Sequence, residues 1–258
     1  MNRGTTMLFL ENFLHNKKDT MLGFSADKYN ELRKKMIEYY KKALSLGEEV
    51  DEKFVVAKAG TELGSDYLGR VIYNYSLINN ATEVLEKASK AIEEAKETPE
   101  FPKQDIQETK GRIYNLVGML YYRKKDYKNS EEYYLKAIAL GEKLNSVQTQ
   151  VYKYNLAVLY KDMKDYDKFE KYLKEAIEDG WRRKKGDLEK MAEWSKELAE
   201  FYLEHKNDKK RAKEYFITAI ELYEDLMRTT KDSLKRGKYD SKRHELFEEI
   251  NKIDSGGK

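Results

Sequence analysis

The residues able to do chemistry are few and scattered. The chain has no cysteine, which removes a thiolate nucleophile, a thiolate zinc site and a disulfide scaffold. The three histidines, His15, His205 and His244, show no His-Glu-x-x-His pattern or other ligand spacing. Aspartate and glutamate are abundant, but lysine and arginine balance them, 50 basic against 47 acidic residues. That is the composition of solvated helix surfaces, and no catalytic carboxylate pair stands out from it. Gly60, Gly64 and Gly69 lack the spacing and preceding strand of a phosphate-binding loop. They read instead as a helix boundary or close helix packing, within an irregular stretch over 58–70 where a helix restarts behind Ser65. The densest basic run, Trp181-Arg182-Arg183-Lys184-Lys185, reads as a solvated loop behind a helix closed by Gly180. A net charge of only +3 gives no reason to expect specific nucleic-acid binding. No cofactor or metal is expected, and the chain reads as a non-enzyme.

With no chemistry to anchor it, the reading turns to the elements. Only 2 of the 258 residues are proline, where average usage would give about 13. Helix interiors exclude proline, so the chain is expected to be all-α. Hydrophobic residues at 40% and aromatic residues at 12% are enough for a packed core. No apolar run reaches the length needed to span a membrane, so no membrane insertion is expected. The first residues form a poor export signal and read as a short amphipathic helix with Leu10, Phe13 and Leu14 on one face. A cytoplasmic protein, or an exported one met without its leader, is expected.

The elements repeat. Tyr39-Tyr40-Lys41-Lys42-Ala43-Leu44-Ser45-Leu46-Gly47-Glu48 aligns with Tyr133-Tyr134-Leu135-Lys136-Ala137-Ile138-Ala139-Leu140-Gly141-Glu142. Further copies carry Ala91, Ala176 and Ala219 at the anchoring alanine, so Ala43, Ala91, Ala137, Ala176 and Ala219 follow at steps of 48, 46, 39 and 43 residues. Tyr127, Ser130, Tyr134 and Ala137 fall on one helix face, as do Tyr166, Phe169, Leu173 and Ala176. An apolar helix precedes each stripe, entering turns at Lys124-Lys125-Asp126, Lys164-Asp165, Asn207-Asp208 and, earlier, Asn79-Asn80. Asp and Asn suit such turns because they cap the next helix. The unit is helix, turn, helix, and no single unit can bury its apolar face alone.

The runs Val117-Gly118-x-x-Tyr121 with Tyr127-x-x-Ser130-x-x-x-Tyr134-x-x-Ala137, Leu156-Ala157-x-x-Tyr160 with its following stripe, and Leu198-Ala199-x-x-Tyr202 with Ala212-x-x-x-Phe216-x-x-Ala219 resemble the tetratricopeptide repeat. The resemblance is clearest over 111–226, weaker over 65–98, and covers only a second helix over 5–48. It implies a right-handed α-α superhelix of about four to five helix pairs forming a single domain over 1–258. Less regular units occupy 1–98, regular repeats 111–226, and a capping helix and tail 227–258, the helix beginning after Ser241. Spacings longer than the family's period of 34, and the loss of its closing proline, imply longer helices or loops. Both prolines lie in Thr98-Pro99-Glu100-Phe101-Pro102, read as an inter-repeat loop and the place where the solenoid bends.

The resemblance also implies a concave surface lined by the first helix of each pair. Its inward positions are Tyr73 in the early unit, then Arg112, Asn115, Met119, Tyr122 and Arg123, then Tyr154, Asn155, Val158 and Lys161, and finally Lys196. A protein or peptide partner is expected there, bound by a scaffold or adaptor. The alternative is a peptide-gated regulator or secretion-type chaperone that changes superhelix pitch. A clamp for a C-terminal carboxylate is disfavoured, because Glu193 and Glu197 stand where it needs a cation. The oligomeric state is left open by the sequence.

Overall fold

A computed structural model describes residues 26–182 and 187–255. These residues form ten helices and no strand: α1 Ala26–Glu49, α2 Lys53–Arg70, α3 Leu77–Glu94, α4 Lys103–Arg123, α5 Tyr127–Lys143, α6 Thr149–Asp162, α7 Tyr166–Arg182, α8 Leu188–His205, α9 Lys209–Thr229 and α10 Ser233–Asp254. Four hairpins, α2/α3, α4/α5, α6/α7 and α8/α9, stack in chain order between α1 and α10. First helices also touch first helices, α2 with α4 and α4 with α6, which produces one continuous face. The amphipathic helix expected around Leu10, Phe13 and Leu14 lies outside the described residues, as do Arg183, Lys184 and Lys185 of the basic run; Trp181, half-exposed, lies in the last turn of α7.

The hairpin turns have a shared construction. Lys125, Lys164 and Asn207 take left-handed backbone angles, with φ of 60°, 61° and 48°. The following aspartate caps the second helix. Asp126 accepts from the Asn129 amide at 3.2 Å, Asp165 from the Lys168 amide at 3.2 Å, and Asp208 from the Arg211 amide at 3.0 Å. Each cap satisfies an amide that the first helical turn leaves without an internal partner.

Tight packing falls where small residues permit it. Ala137, Ala157, Ala176, Ala199 and Ala219 are fully buried. Gly118 lets the Tyr134 ring lie against its backbone: a Cβ there would stand 2.7 Å from Tyr134 Cδ1. Its carbonyl accepts from Ser130 Oγ at 2.9 Å. In the hairpins α4/α5, α6/α7 and α8/α9, a tyrosine near the end of the first helix stacks on one in the second: Tyr121 on Tyr133, Tyr160 on Tyr172, and Tyr202 on Tyr215, at 5.6, 5.6 and 5.7 Å.

Three expectations are corrected. First, 58–70 is not irregular. Gly60 and Gly64 lie inside the continuous helix α2, and Ser65 caps nothing. A Cβ at Gly60 would stand 2.8 Å from the Val84 carbonyl oxygen and 2.9 Å from Ala88 Cβ, so close helix approach explains these glycines. Second, Asn79 and Asn80 lie within α3, and the turn is earlier, at 71–76. Third, α10 begins at Ser233, where Asp232 accepts from the amides of Leu234 and Lys235. The proline-flanked segment is, as expected, the loop between the hairpins α2/α3 and α4/α5, and the core runs across it. Phe101 is buried against Phe54 with ring centroids 4.9 Å apart, and Thr98 and Phe101 exchange backbone hydrogen bonds at 3.1 Å. The apolar core instead divides within the α4/α5 hairpin. Residues from Tyr40 to Leu120 form one cluster and residues from Tyr134 to Leu246 the other, with Met119 touching both.

Candidate binding groove

The face lined by α2, α4, α6, α8 and α10 is held together by side chains reaching from each first helix to the next. Arg112 on α4 pairs with Glu62 on α2 at 2.7 Å. Asn155 Nδ2 on α6 donates to Asn115 Oδ1 on α4 at 2.8 Å. Tyr122 Oη donates to Asp162 Oδ2 at 2.5 Å. Burial and this carboxylate acceptor both favour the neutral phenol, whose pKa is pushed up to about 12. From α6 to α8, Lys161 pairs with Glu197 at 2.7 Å and Tyr154 Oη donates to the same carboxylate at 3.2 Å. From α8 to α10, Lys196 pairs with Glu245 at 2.6 Å, Lys238 pairs with Glu189 at 2.9 Å, and Lys242 pairs with Glu193.

These contacts sort the residues anticipated from sequence. Arg112, Asn115, Met119, Tyr122, Tyr154, Asn155, Val158, Lys161 and Lys196 all belong to α4, α6 or α8. Asn115 is buried and bonded to Asn155, so this pair fixes the register of α4 against α6. Met119 packs in the core, and Val158 is half-buried. Arg123 packs on the Tyr122 ring, 5.7 Å from guanidinium carbon to ring centroid. Tyr73 belongs elsewhere: it lies in the α2–α3 turn, 86% exposed, because α2 ends at Arg70 and leaves no first helix to carry it onto the face.

Between α6 and α8 the face opens into a cleft of about 610 Å³ lined by Tyr154, Lys161, Asp187, Glu189, Lys190, Glu193, Trp194, Lys196, Glu197 and Glu200. Trp194 is buried beneath it, stacked on Tyr154 at 4.8 Å and 19°. Glu200 pairs only loosely, with Lys196 at 3.8 Å, and Lys196 bonds Glu245 more closely at 2.6 Å. Burial, then the nearby carboxylates of Glu204 and Glu197, push its pKa above the usual carboxylate value. Glu189 and Glu193 shift the other way. Their burial is outweighed by hydrogen bonds from Lys238 to Glu189 and from Lys242 and Tyr223 to Glu193.

Sequence reasoning missed the contribution of α10 to this face, because that helix was started too late to include Lys238. The Asp232-Ser233 pair was the available signal, an N-cap four residues ahead of a charged helical run. Trp194 was missed because its spacing is that of a core residue, and the structure does bury it.

A stack of helical hairpins with small residues at the crossings and a continuous first-helix face is a tetratricopeptide-type α-solenoid. Residues 109–179 are tetratricopeptide repeats by match to that family's model. No curated protein matches the chain in sequence. Among solved structures, the chain is similar to BtubC (BKLC) from P. vanneervenii, with a TM-score of 0.60, 16% identity, and 86% of this chain and 91% of that one covered. It is also similar to the apo form of RapI, with a TM-score of 0.58, 18% identity, and 86% and 78% covered. At these identities the likeness is one of fold. No described helix is long and apolar enough to cross a membrane.

Proposed function

We propose that this chain is a non-enzymatic scaffold or adaptor that binds a protein or peptide segment along its first-helix face. The observation that carries the proposal is the 610 Å³ cleft, which opens on a face otherwise closed by side-chain bridges. It combines the half-buried Tyr154 with charged groups of both signs, the mixture of contact area and orienting polar groups found at protein-binding surfaces. The partner aligns along α6 and α8 and exchanges contacts with Lys161, Lys196 and Glu200. Asn115 and Asn155 hold the face in shape instead of meeting the partner.

The test is affinity capture from the source cell with wild type and a Lys161→Ala/Glu200→Ala variant, both checked for helicity. These side chains are substantially exposed, so the fold is expected to survive. Loss of a wild-type partner supports the groove. Retention of every partner by the folded variant refutes it.

A second reading, a peptide-gated regulator or secretion-type chaperone, draws on one feature. The bridges between successive first helices are polar and in part solvent-exposed, so a ligand can exchange them one at a time and alter the superhelix. Small-angle scattering with and without the captured partner separates the readings. A changed radius of gyration favours the switch, and an unchanged profile favours the rigid scaffold.

A further inference from the structure

The segment 227–243, from the end of α9 into α10, carries an excess of positive charge that the groove does not use. Between 227 and 243 the sequence has seven basic residues, Arg228, Lys231, Lys235, Arg236, Lys238, Lys242 and Arg243, against Asp232 and Asp240. Lys238 and Lys242 turn toward α8 and its glutamates. The arginines turn the other way, toward α9. There, Arg228, Arg236 and Arg243 line a cleft of about 500 Å³ together with Met227 and a single carboxylate, Glu224.

Most cations on this chain face a carboxylate, but these are incompletely matched. Arg236 donates only to the Thr230 carbonyl, at 3.2 Å. Arg243 is held by Asp240 at 2.7 Å and more loosely by Glu224 at 3.6 Å, and its buried Nε has no hydrogen-bond partner. Arg228 bonds Asp225 yet still reaches the cleft edge. Lys231 and Lys235 stand beside it on the connecting turn and the first turn of α10. Three planar forks converge on one cleft, and the donors that Asp225, Asp240 and Glu224 leave unused match the several oxygens of a phosphate group.

We infer that the cleft between α9 and α10 binds a phosphate group, with Arg236 and Arg243 as its principal donors and Arg228 at the rim. The site lies on the side of α10 away from the groove, so it acts independently of partner binding there. The phosphate is either a free anion or a monoester on another molecule, and both present the same oxygens to the arginines.

The experiment follows the arginine Nε–Hε resonances of the full-length ¹⁵N-labelled chain during titration with inorganic phosphate, with phosphoserine, and with sodium chloride at matched ionic strength. The expected result is a saturable shift of the Arg243 and Arg236 signals with phosphate or phosphoserine that chloride does not reproduce. Tighter binding of phosphoserine assigns the group to a monoester, and tighter binding of inorganic phosphate to a free anion. Arg236→Gln, at an exposed position, and Arg243→Lys, which keeps charge but loses the fork, are each expected to weaken binding about tenfold or more. Shifts that grow linearly without saturating, that chloride matches, or that survive both substitutions at full affinity overturn the site.

Discussion

The same substitution, glycine to alanine, is expected to act in opposite directions at Gly60 and Gly237. In either helix, alanine gains about 1 kcal/mol of intrinsic helix propensity over glycine. At Gly237 nothing lies within 4 Å of the new methyl, so Gly237→Ala should stabilise by about 0.5–1 kcal/mol. At Gly60 the methyl meets the Val84 carbonyl oxygen at 2.8 Å and Ala88 Cβ at 2.9 Å. Neither obstacle is the end of a flexible side chain, so α3 must move off α2. Overpacking of this kind costs about 1–3 kcal/mol, which outweighs the propensity gain and leaves Gly60→Ala up to about 2 kcal/mol less stable. Urea unfolding monitored by circular dichroism measures the total. Fluorescence reports the C-terminal core, because both tryptophans, Trp181 and Trp194, lie beyond residue 180. Since the core divides within α4/α5, Gly60→Ala should lower the circular-dichroism midpoint more than the fluorescence midpoint. A Gly60→Ala variant at least as stable as wild type by both probes would refute the close α2–α3 approach.

Three other expectations follow from single contacts. Asp208→Ala removes the α9 cap and should cost about 1 kcal/mol, read as a lower melting temperature; no change would mean the cap contributes nothing. Lys153, 5% exposed, pairs with Glu142 at 2.9 Å, Asp179 at 2.9 Å and Glu175 at 3.3 Å. Burial alone would lower its pKa, but hydrogen bonds to Glu142 and Asp179 raise it overall. Its contribution is therefore fully present below pH 10.5 and fades only as pH rises through the higher folded value. At neutral pH, Lys153→Ala removes a buried cation shared by Glu142, Glu175 and Asp179 and should cost about 3–5 kcal/mol; a melting temperature like that of wild type would contradict this. Glu200, with its raised pKa, is more stable protonated, so Glu200→Gln should stabilise the fold at pH 7. That advantage should shrink as pH falls toward 4.5, the ordinary glutamate value; thermal melts across this range that show no convergence would refute the assignment.

The sequence by itself determined the architecture. Helical periodicity, the recurring alanines and the aspartate-bearing turns are local signals, because each reports what a few neighbouring residues need from one another. The hairpins from α4 to α9 were therefore legible to within a residue or two. The same logic failed at Gly60, where a residue type that usually marks a turn permits close approach of the next helix, and at Asn79, an exposed residue inside α3. The loop at Pro99 and Pro102 was legible, but its packing was not, since only the tertiary structure brings Phe54 against Phe101 and carries the core across that turn. The concave positions were legible as a list but not as a surface. Which of them stay exposed depends on partners about 40 residues away: Asn115 with Asn155, Tyr122 with Asp162, Tyr154 with Glu197. The arginine cleft was not legible at all. In sequence its residues belong to an ordinary run of mixed charge, and only the packing of α10 on α9 separates those that face glutamates from those left facing an open cleft. Local spacing fixes which helices form; pairing between helices decides which side chains remain available for a partner.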